Sequence, residues 1–375
     1  ALGFSMVGPG DLGTNRAITF RADLTPWLDE PPPALVHLGE ASAVLLRTHA
    51  DHRWVVMVPD TPKLPAAPTT VVRAALGLEH LPLDVLTDGR WTAAAQTSDH
   101  FANPPVFLVG DAAHRVPPAG GTGISSAMAD AHNLAWKLAA VLQGWADDRV
   151  LDSYAAERRP VALTTTAATL DMWRSWEAGR GPGDVDMRML DMGYSYSATA
   201  ENGTTARNET TDPRPALAGP YQPTARPGAR APHVWLSGST SRSTLDLFGH
   251  GFALLTGPAG AVWHTAAALV TRTGLPFAGH CGGWRPYAAA RDIPLSVTTI
   301  ASSEFPSTYQ LSGLGAVLVR PDGHIANHWQ PRQTLDIASA TRLLAGALSA
   351  ATGRPPVNPQ RLVGVPATAA AGTPQ

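Results

Sequence analysis

Residues 106–138 read VFLVGDAAHRVPPAGGTGISSAMADAHNLAWKL. Four apolar residues, 106–109, end at Gly110-Asp111. A loop rich in proline and glycine follows, and then a helical pattern begins. A short, fully apolar run reads as a buried strand, and α/β sheets bind ligands beyond the carboxyl ends of such strands. A carboxylate at that point, Asp111, can accept two hydrogen bonds from the hydroxyls of a sugar or sugar-alcohol chain. In the loop Pro117-Pro118-Ala119-Gly120-Gly121-Thr122-Gly123, the glycines let backbone approach a flat ligand closely. The helix starting near Ile124 turns unpaired N–H groups and a partial positive charge back toward that loop. Together these residues suit a ligand with a polyol beside Asp111 and a planar group that becomes negative beside Ile124 and Ser125.

A reduced flavin has both parts: a ribityl chain, and a ring that gains negative charge at N1 and O2. A turn capped by aspartate and a glycine loop without ligand would use the same residue types, and composition leaves both readings open. Other constellations point to less. Gly8-Pro9-Gly10-Asp11-Leu12-Gly13 has the G-x-G-x-x-G spacing of a dinucleotide fingerprint, but residues 14–24 after it read as a strand and Pro9 removes an N–H. It is expected to be a turn between strands. The histidines at 100, 114 and 132 lack metal-ligand spacing with a carboxylate, so no metal site is expected, and His114 is expected to hold the loop beside it. No G-x-S-x-G elbow occurs, which argues against a serine hydrolase.

The elements that must position these residues follow from periodicity and turn chemistry. Runs at 17–24, 43–48 and 54–59 read as strands of an antiparallel sheet, and 69–77 as a helix stopped by Gly77. Residues 83–86 and 91–96 read as two strands around a hairpin at Asp88-Gly89. Ile124, Met128, Ala131, Leu134, Leu138 and Leu142 recur at spacings of three and four, one face of a helix ending near Gly144. Residues 151–166 read as a second helix, interrupted near Pro160; residues 170–188 are ambiguous. Strand, helix, strand, strand, strand and helix at 252–255, 259–273, 295–300, 316–320, 325–329 and 334–350 make a small α/β unit. The expected organisation is a substrate-binding sheet at 1–100, the C-terminal part of a ligand-binding domain at 101–200, a Pro/Gly/Thr-rich connection at 201–230, the α/β unit at 231–352 and a disordered tail at 353–375.

The 375 residues carry a net charge of −2 and 15% charged side chains, which gives no reason to expect a nucleic acid or an anionic membrane as partner. No apolar run approaches the roughly 18 residues of a membrane span. The single cysteine, Cys281, excludes an intrachain disulfide framework and fits a reducing cytosol. Only Lys63 and Lys137 are lysines.

The run GDAAHRVPPAGGTGISSAMADAHNLAWKL resembles the second flavin motif of the FAD-dependent aromatic hydroxylases, single-component monooxygenases of the p-hydroxybenzoate hydroxylase fold. GPGDLGTNRAITFRADLTPW resembles the substrate-domain sheet of their phenol, chlorophenol and aromatic-polyketide hydroxylase branch. YAAERRPVA resembles the helix after the flavin motif. PGARAPHVWL and GAVLVRPDGHIA resemble parts of that branch's thioredoxin-like C-terminal domain. The resemblance implies an α/β (α+β) fold: the C-terminal part of such an FAD/substrate domain, then a thioredoxin-like domain. In the latter C-x-x-C is missing, since Gly257-Pro258-Ala259-Gly260 follows the first strand, and the domain is expected to be scaffold or subunit interface. The resemblance also implies that Gly110 and Asp111 meet the ribityl chain and that Pro117 and Pro118 line the ring, with the Pro118 carbonyl toward the substrate. Gly120, Gly121 and Gly123 would pass the ring edge, and the Ile124 and Ser125 N–H groups would bind N1/O2. Phe20, Trp54 and Trp91 fall on the substrate sheet; core packing is their expected role, with one or two facing an aromatic ring.

The implied reaction uses NAD(P)H to reduce FAD and O2 to form a C4a-hydroperoxide, whose distal oxygen passes to a phenolic or polyketide ring. No residue is identified as a general base. The family's opening dinucleotide fingerprint and internal Asp-Gly motif are not found in context, so the chain is expected to correspond to the C-terminal two-thirds or so of such an enzyme. A non-catalytic remnant serving as a binding or assembly subunit, and one part of a split enzyme, are the alternatives. A homodimer or an N-terminal partner segment are the expected macromolecular partners.

Overall fold

The computed structural model describes residues 2–29, 31–39, 43–49, 51–178, 180, 185–196, 219–237, 241–272 and 292–354. The core of the expected connection, Cys281 and nearly all of the expected tail lie outside the described residues.

The N-terminal region is built on strands β1 (Met6–Val7), β2 (Thr14–Arg21), β3 (Leu35–Leu38), β4 (Ala43–His49) and β5 (Arg53–Pro59), helix α1 (Pro68–Leu76), and strands β6 (Asp84–Thr92) and β7 (Gln96–Ser98). Strands β3-β4-β5-β2-β6 form one antiparallel sheet. β2 and β5 bury every second residue, so the sheet has a closed and an open face. On the closed face Ile18, Phe20, Leu45, Trp54 and Val56 pack with Val71 and Val72 of α1. The helix stops at Gly77, whose φ of 69° is left-handed, as the sequence predicts.

One expectation changes here and one holds. The Asp88-Gly89 hairpin does not form: β6 runs through both residues, pairing Asp88 with Ile18 and Gly89 with Ala17. The physical reason is Arg16, 2% exposed, which grips the Asp88 carboxylate with bonds of 2.8 and 2.7 Å and also donates to the Pro65 and Ala66 carbonyls. The carboxylate is spent on that buried guanidinium and is not available to cap a turn. The G-x-G-x-x-G stretch is the connection from β1 to β2. A side chain on Gly8 (φ 123°) would start 2.3 Å from the Ala95 carbonyl oxygen, so close backbone approach accounts for that glycine.

Next come β8 (Ala102–Asn103), β9 (Val106–Phe107), β10 (His114–Arg115), α2 (Thr122–Leu142), α3 (Asp152–Glu177) and the short α4 (Met187–Asp191). β9 is shorter than the expected strand and pairs only with β8 among the described residues, so residues 106–109 are half-buried rather than enclosed. α3 runs unbroken through Pro160. Pro160 lies on the exposed side, and the carbonyl it leaves without a partner belongs to Ala156, also exposed and open to water.

The C-terminal domain consists of β11 (Phe252–Thr256), α5 (Ala261–Arg272), β12 (Leu295–Thr299), α6 (Phe305–Thr308), β13 (Ala316–Val319), β14 (Ile325–Trp329) and α7 (Ile337–Thr352). Its sheet order is β12-β11-β13-β14, with β11 and β12 parallel and the other pairs antiparallel, the thioredoxin-like arrangement. One core joins it to α2: Leu134, Trp136 and Ala140 pack with Phe252, Leu254, Trp263 and Leu344.

α2 only partly follows the usual amphipathic rule: Leu134, Trp136, Ala140 and Val141 are buried, but polar residues share that side. Of the apolar residues expected on one face, Ile124 (72%), Met128 (66%) and Leu142 (40%) are exposed. Ser126, Asp130, Asn133 and Lys137 are buried instead.

Candidate functional site

The strand end, loop and helix start form one continuous surface. After Val109 the chain makes a single 3-10 turn over Gly110–Ala112. Gly110 takes a φ of 59°, and a side chain there would press on Ala127 at 3.1 Å. Asp111 is exposed and accepts no hydrogen bond among the described residues. Pro117 is buried and Pro118 exposed, and the Pro118 carbonyl accepts the Gly121 N–H at 3.1 Å, closing the turn before α2.

The helix starts at Thr122, two residues earlier than the sequence suggests, with Gly121 (φ 69°) as a cap that offers no side-chain acceptor. The amides without an intrahelical partner are therefore those of Thr122, Gly123 and Ile124. The Ser125 N–H is the first that an α-helix pairs internally. The Ser125 hydroxyl reaches Asp191 of α4 at 2.6 Å. The Thr122 hydroxyl is buried with no partner among the described residues. The glycines differ in purpose. Both Gly120 (φ 85°) and Gly121 (φ 69°) take left-handed backbone; a side chain at Gly121 would meet nothing within 4 Å, whereas one at Gly120 would also press on the tip of Met187 of α4 at 2.3 Å.

Behind this surface lies a buried ionic support. Asp130, fully enclosed, accepts the Gly110 N–H at 3.1 Å and pairs with His114 Nε2 at 2.7 Å through one oxygen; its other oxygen accepts Arg158 Nε at 2.7 Å. Burial pushes the Asp130 carboxyl up, but the His114 bond and the Arg158 charge outweigh it and hold the group below the usual carboxylate range. Asp130 is the residue that motif reading missed. Its signal was available in the polar stripe Ser126, Asp130, Asn133 and Lys137, which repeats at helical spacing.

The aromatic residues expected on the substrate sheet do not share a face. Phe20 and Trp54, 0% and 3% exposed, belong to the core against α1, and the Trp54 indole N–H is taken by the Ala22 carbonyl at 3.0 Å. Trp91 is half-buried and pairs with Asn15 on the open face, which also carries Ala17, Thr19, Val55 and Met57. On that same face His37 of β3 meets Trp176 of α3 edge-on at 5.4 Å. Neither His37 nor Trp176 stood out in the sequence, because they are 139 positions apart.

The surface fits a flavin on its own geometry. It offers a carboxylate with open lone pairs, uncapped helix amides beside a buried hydroxyl without a partner, and an apolar flank at Ile124 and Met128 that a flat ring would cover.

Residues 39–169 match the family described as FAD binding domain, and residues 224–355 the family described as aromatic-ring hydroxylase, C-terminal. A tetracenomycin B2 monooxygenase-dioxygenase of Streptomyces olivaceus is 34% identical across 93% of this chain and 63% of its own length. A 4-methyl-5-nitrocatechol 5-monooxygenase of a Burkholderia species is 34% identical across 88% of this chain and 62% of its own. Thus the chain spans a little over three-fifths of these curated relatives. Among solved structures, the flavin-dependent monooxygenase PieE in complex with FAD and substrate superposes with a TM-score of 0.74 at 25% identity, over 94% of this chain and 68% of that one. The ternary complex of aklavinone-11 hydroxylase with FAD and aklavinone gives 0.72 at 28% identity, over 94% and 65%. The chain thus carries the FAD binding domain and the aromatic-ring hydroxylase C-terminal domain that these matches describe.

Proposed function

We propose that the segment from Gly110 to Ser125 holds the ribityl chain and ring of FAD, and that the chain serves hydroxylation of a phenolic or polyketide ring with NAD(P)H and O2. The observation that carries this reading is the uncapped start of α2 beside the open carboxylate of Asp111, within a family match described as FAD binding. FAD, when bound, supplies reduction by a nicotinamide and activation of O2 for oxygen transfer.

Each residue then has a defined task. Asp111 accepts the ribityl hydroxyls. The Thr122, Gly123 and Ile124 amides, at the positive end of α2, stabilise negative charge at the ring's N1/O2 edge. Ser125 contributes through its hydrogen bond to Asp191, which fixes α4 against the first turn. Pro117 and Pro118 stiffen the loop beside the ring, and Gly121 and Gly123 keep side chains away from it. Ile124 and Met128 cover the ring's flank and exclude water. The open face of the sheet, with Trp91, Val55 and Met57, is the apolar wall for the substrate. The relatives named for tetracenomycin, nitrocatechol and aklavinone chemistry support an electron-rich aromatic ring as its occupant.

Titrating purified chain with FAD and riboflavin, read by flavin fluorescence, tests the reading. Both are expected to bind within a factor of a few of each other, because the proposed contacts are to ribityl and ring. Asp111→Ala is expected to weaken both about tenfold or more, the scale of one or two charge-assisted hydrogen bonds. Unchanged affinity in Asp111→Ala removes Asp111 from the site; a chain that takes up neither flavin overturns the reading.

A further inference from the structure

Two motifs stand apart from the proposed chemistry: Asn133-Leu134-Ala135-Trp136-Lys137 on α2, and Arg320-Pro321-Asp322-Gly323-His324 between β13 and β14. They meet. Trp136 Nε1 donates to Asp322 at 3.2 Å, and Asn133 Nδ2 donates to Asp322 at 3.3 Å and to Glu157 at 2.7 Å. Lys137 Nζ, fully buried, donates to Asn133 and Glu157, both at 2.8 Å. Arg320 grips Glu157 with both terminal nitrogens, at 2.6 and 2.9 Å, and Asp322 with bonds of 2.5 and 3.1 Å. Five charged or amide side chains are thus removed from water at the boundary between the C-terminal domain and α2–α3, each with its partners in place.

The next residue on α3 faces the other way. Arg158 holds Asp130, which holds the Gly110 N–H. The two halves are bridged by rings. Arg158 Nη1 donates to the Tyr196 hydroxyl at 3.4 Å and its guanidinium lies 5.1 Å over Tyr194. Tyr196 packs on His324 at 4.2 Å and beneath Arg320 at 5.2 Å. One turn of α3, Glu157-Arg158, is therefore clasped by the C-terminal domain on one side and clasps the Gly110 turn on the other.

We propose that Arg320 and Asp322 are positioning residues for the Gly110–Asp111 turn: the C-terminal domain, through Glu157-Arg158, Tyr196 and Asp130, keeps that turn in the conformation that presents Asp111. A thioredoxin-like domain without a redox pair then has a task in the flavin site it never touches. The test reads the far end of this chain of contacts directly. The inference takes the importance of the turn from the proposed function. Its test runs on flavin-free chain, so failure to bind flavin and failure of the coupling give separate results.

Hydrogen exchange of the amides at Gly110 and Ala113 is compared in wild type, Asp322→Asn and, as a milder variant that keeps all charges, Trp136→Phe. Tyr309→Phe is the control; it removes a buried 2.6 Å bond to the Pro232 carbonyl in the same domain, away from the cluster. Exchange at Gly110 and Ala113 is expected to rise about tenfold or more in Asp322→Asn and several-fold in Trp136→Phe, with strands β2 and β5 unchanged and no effect of Tyr309→Phe. Acceleration confined to the β13–β14 hairpin and its direct contacts overturns the proposal. So does an equal rise in β2 and β5, or a matching rise in Tyr309→Phe, either of which would mean general loosening. If Asp322→Asn does not fold, Trp136→Phe decides by the same criteria.

Discussion

At the scale of the residue, the chain repeatedly buries a charged side chain among fixed partners. Arg16 is the simplest case, with four hydrogen bonds and almost no exposure. The Asp88 bond and charge outweigh burial and raise its pKa above the usual guanidinium value, so it is charged at every working pH. Lysine has the charge but not the planar fork, and it cannot satisfy Asp88, Pro65 and Ala66 together. Arg16→Lys is therefore expected to cost about 1–2 kcal/mol and to lower Tm by roughly 1–3 °C in a thermal scan. This partner choice was not legible in the sequence. Asp88-Gly89 has the composition of a hairpin turn, and the residue that overrides it lies 72 positions earlier. The proximity of strand end, loop and helix start was legible because they lie within twenty residues, so spacing alone brings them together; the flavin proposed against them came from the resemblance.

At the scale of the element, α2 shows where periodicity informs and where it misleads. The 3.6-residue repeat located the helix, but not which side faces inward. An apolar stripe normally faces the core. Here the enclosed side carries Asp130, Asn133 and Lys137 beside the apolar Leu134, Trp136 and Ala140, because α3 and the C-terminal hairpin supply partners for each polar group. Opposite substitutions on the two sides should therefore behave against intuition. Met128→Gln is expected to change stability by no more than about 0.5 kcal/mol and to reduce binding of a hydrophobic dye. Asn133→Leu, which adds apolar bulk inside, is expected to cost about 2–4 kcal/mol in denaturant unfolding, because it strips Lys137 of one acceptor and Glu157 and Asp322 of one donor. α3 gives the complementary lesson. Pro160 suggested a break, but the helix continues because the carbonyl it orphans faces water.

At the scale of the whole molecule, the ionic cluster between α2, α3 and the C-terminal domain sets the response to acid. Burial would raise the Glu157 carboxyl, but Arg320 and Lys137 outweigh it and bring it down to about 2. Asp322 is likewise held well below the carboxylate range, burial being outweighed by Arg320 and His324. For a carboxyl lowered on folding, the stabilisation is complete above its unfolded pKa and disappears as pH falls through the folded one. For Glu157 that contribution is complete above about pH 4.5 and disappears as pH falls toward about 2. Tm is expected to fall steadily between pH 5 and pH 2, and Glu157→Gln, less stable at neutral pH, should show a flatter acid limb. Lys137 acts oppositely: burial lowers it to about 8 despite Glu157, so its charged form opposes folding below that pH and the penalty fades between about 8 and 10.5. The burial of Lys137 has a practical side as well. With only two lysines in the sequence and this one enclosed, Lys63, exposed after β5, is the one side-chain amine among the described residues that an acylating reagent can reach while the fold is intact. Among the side-chain amines of the described residues, Lys63, in the loop between β5 and α1, is therefore a natural attachment point for a dye, a surface tether or a cross-linker.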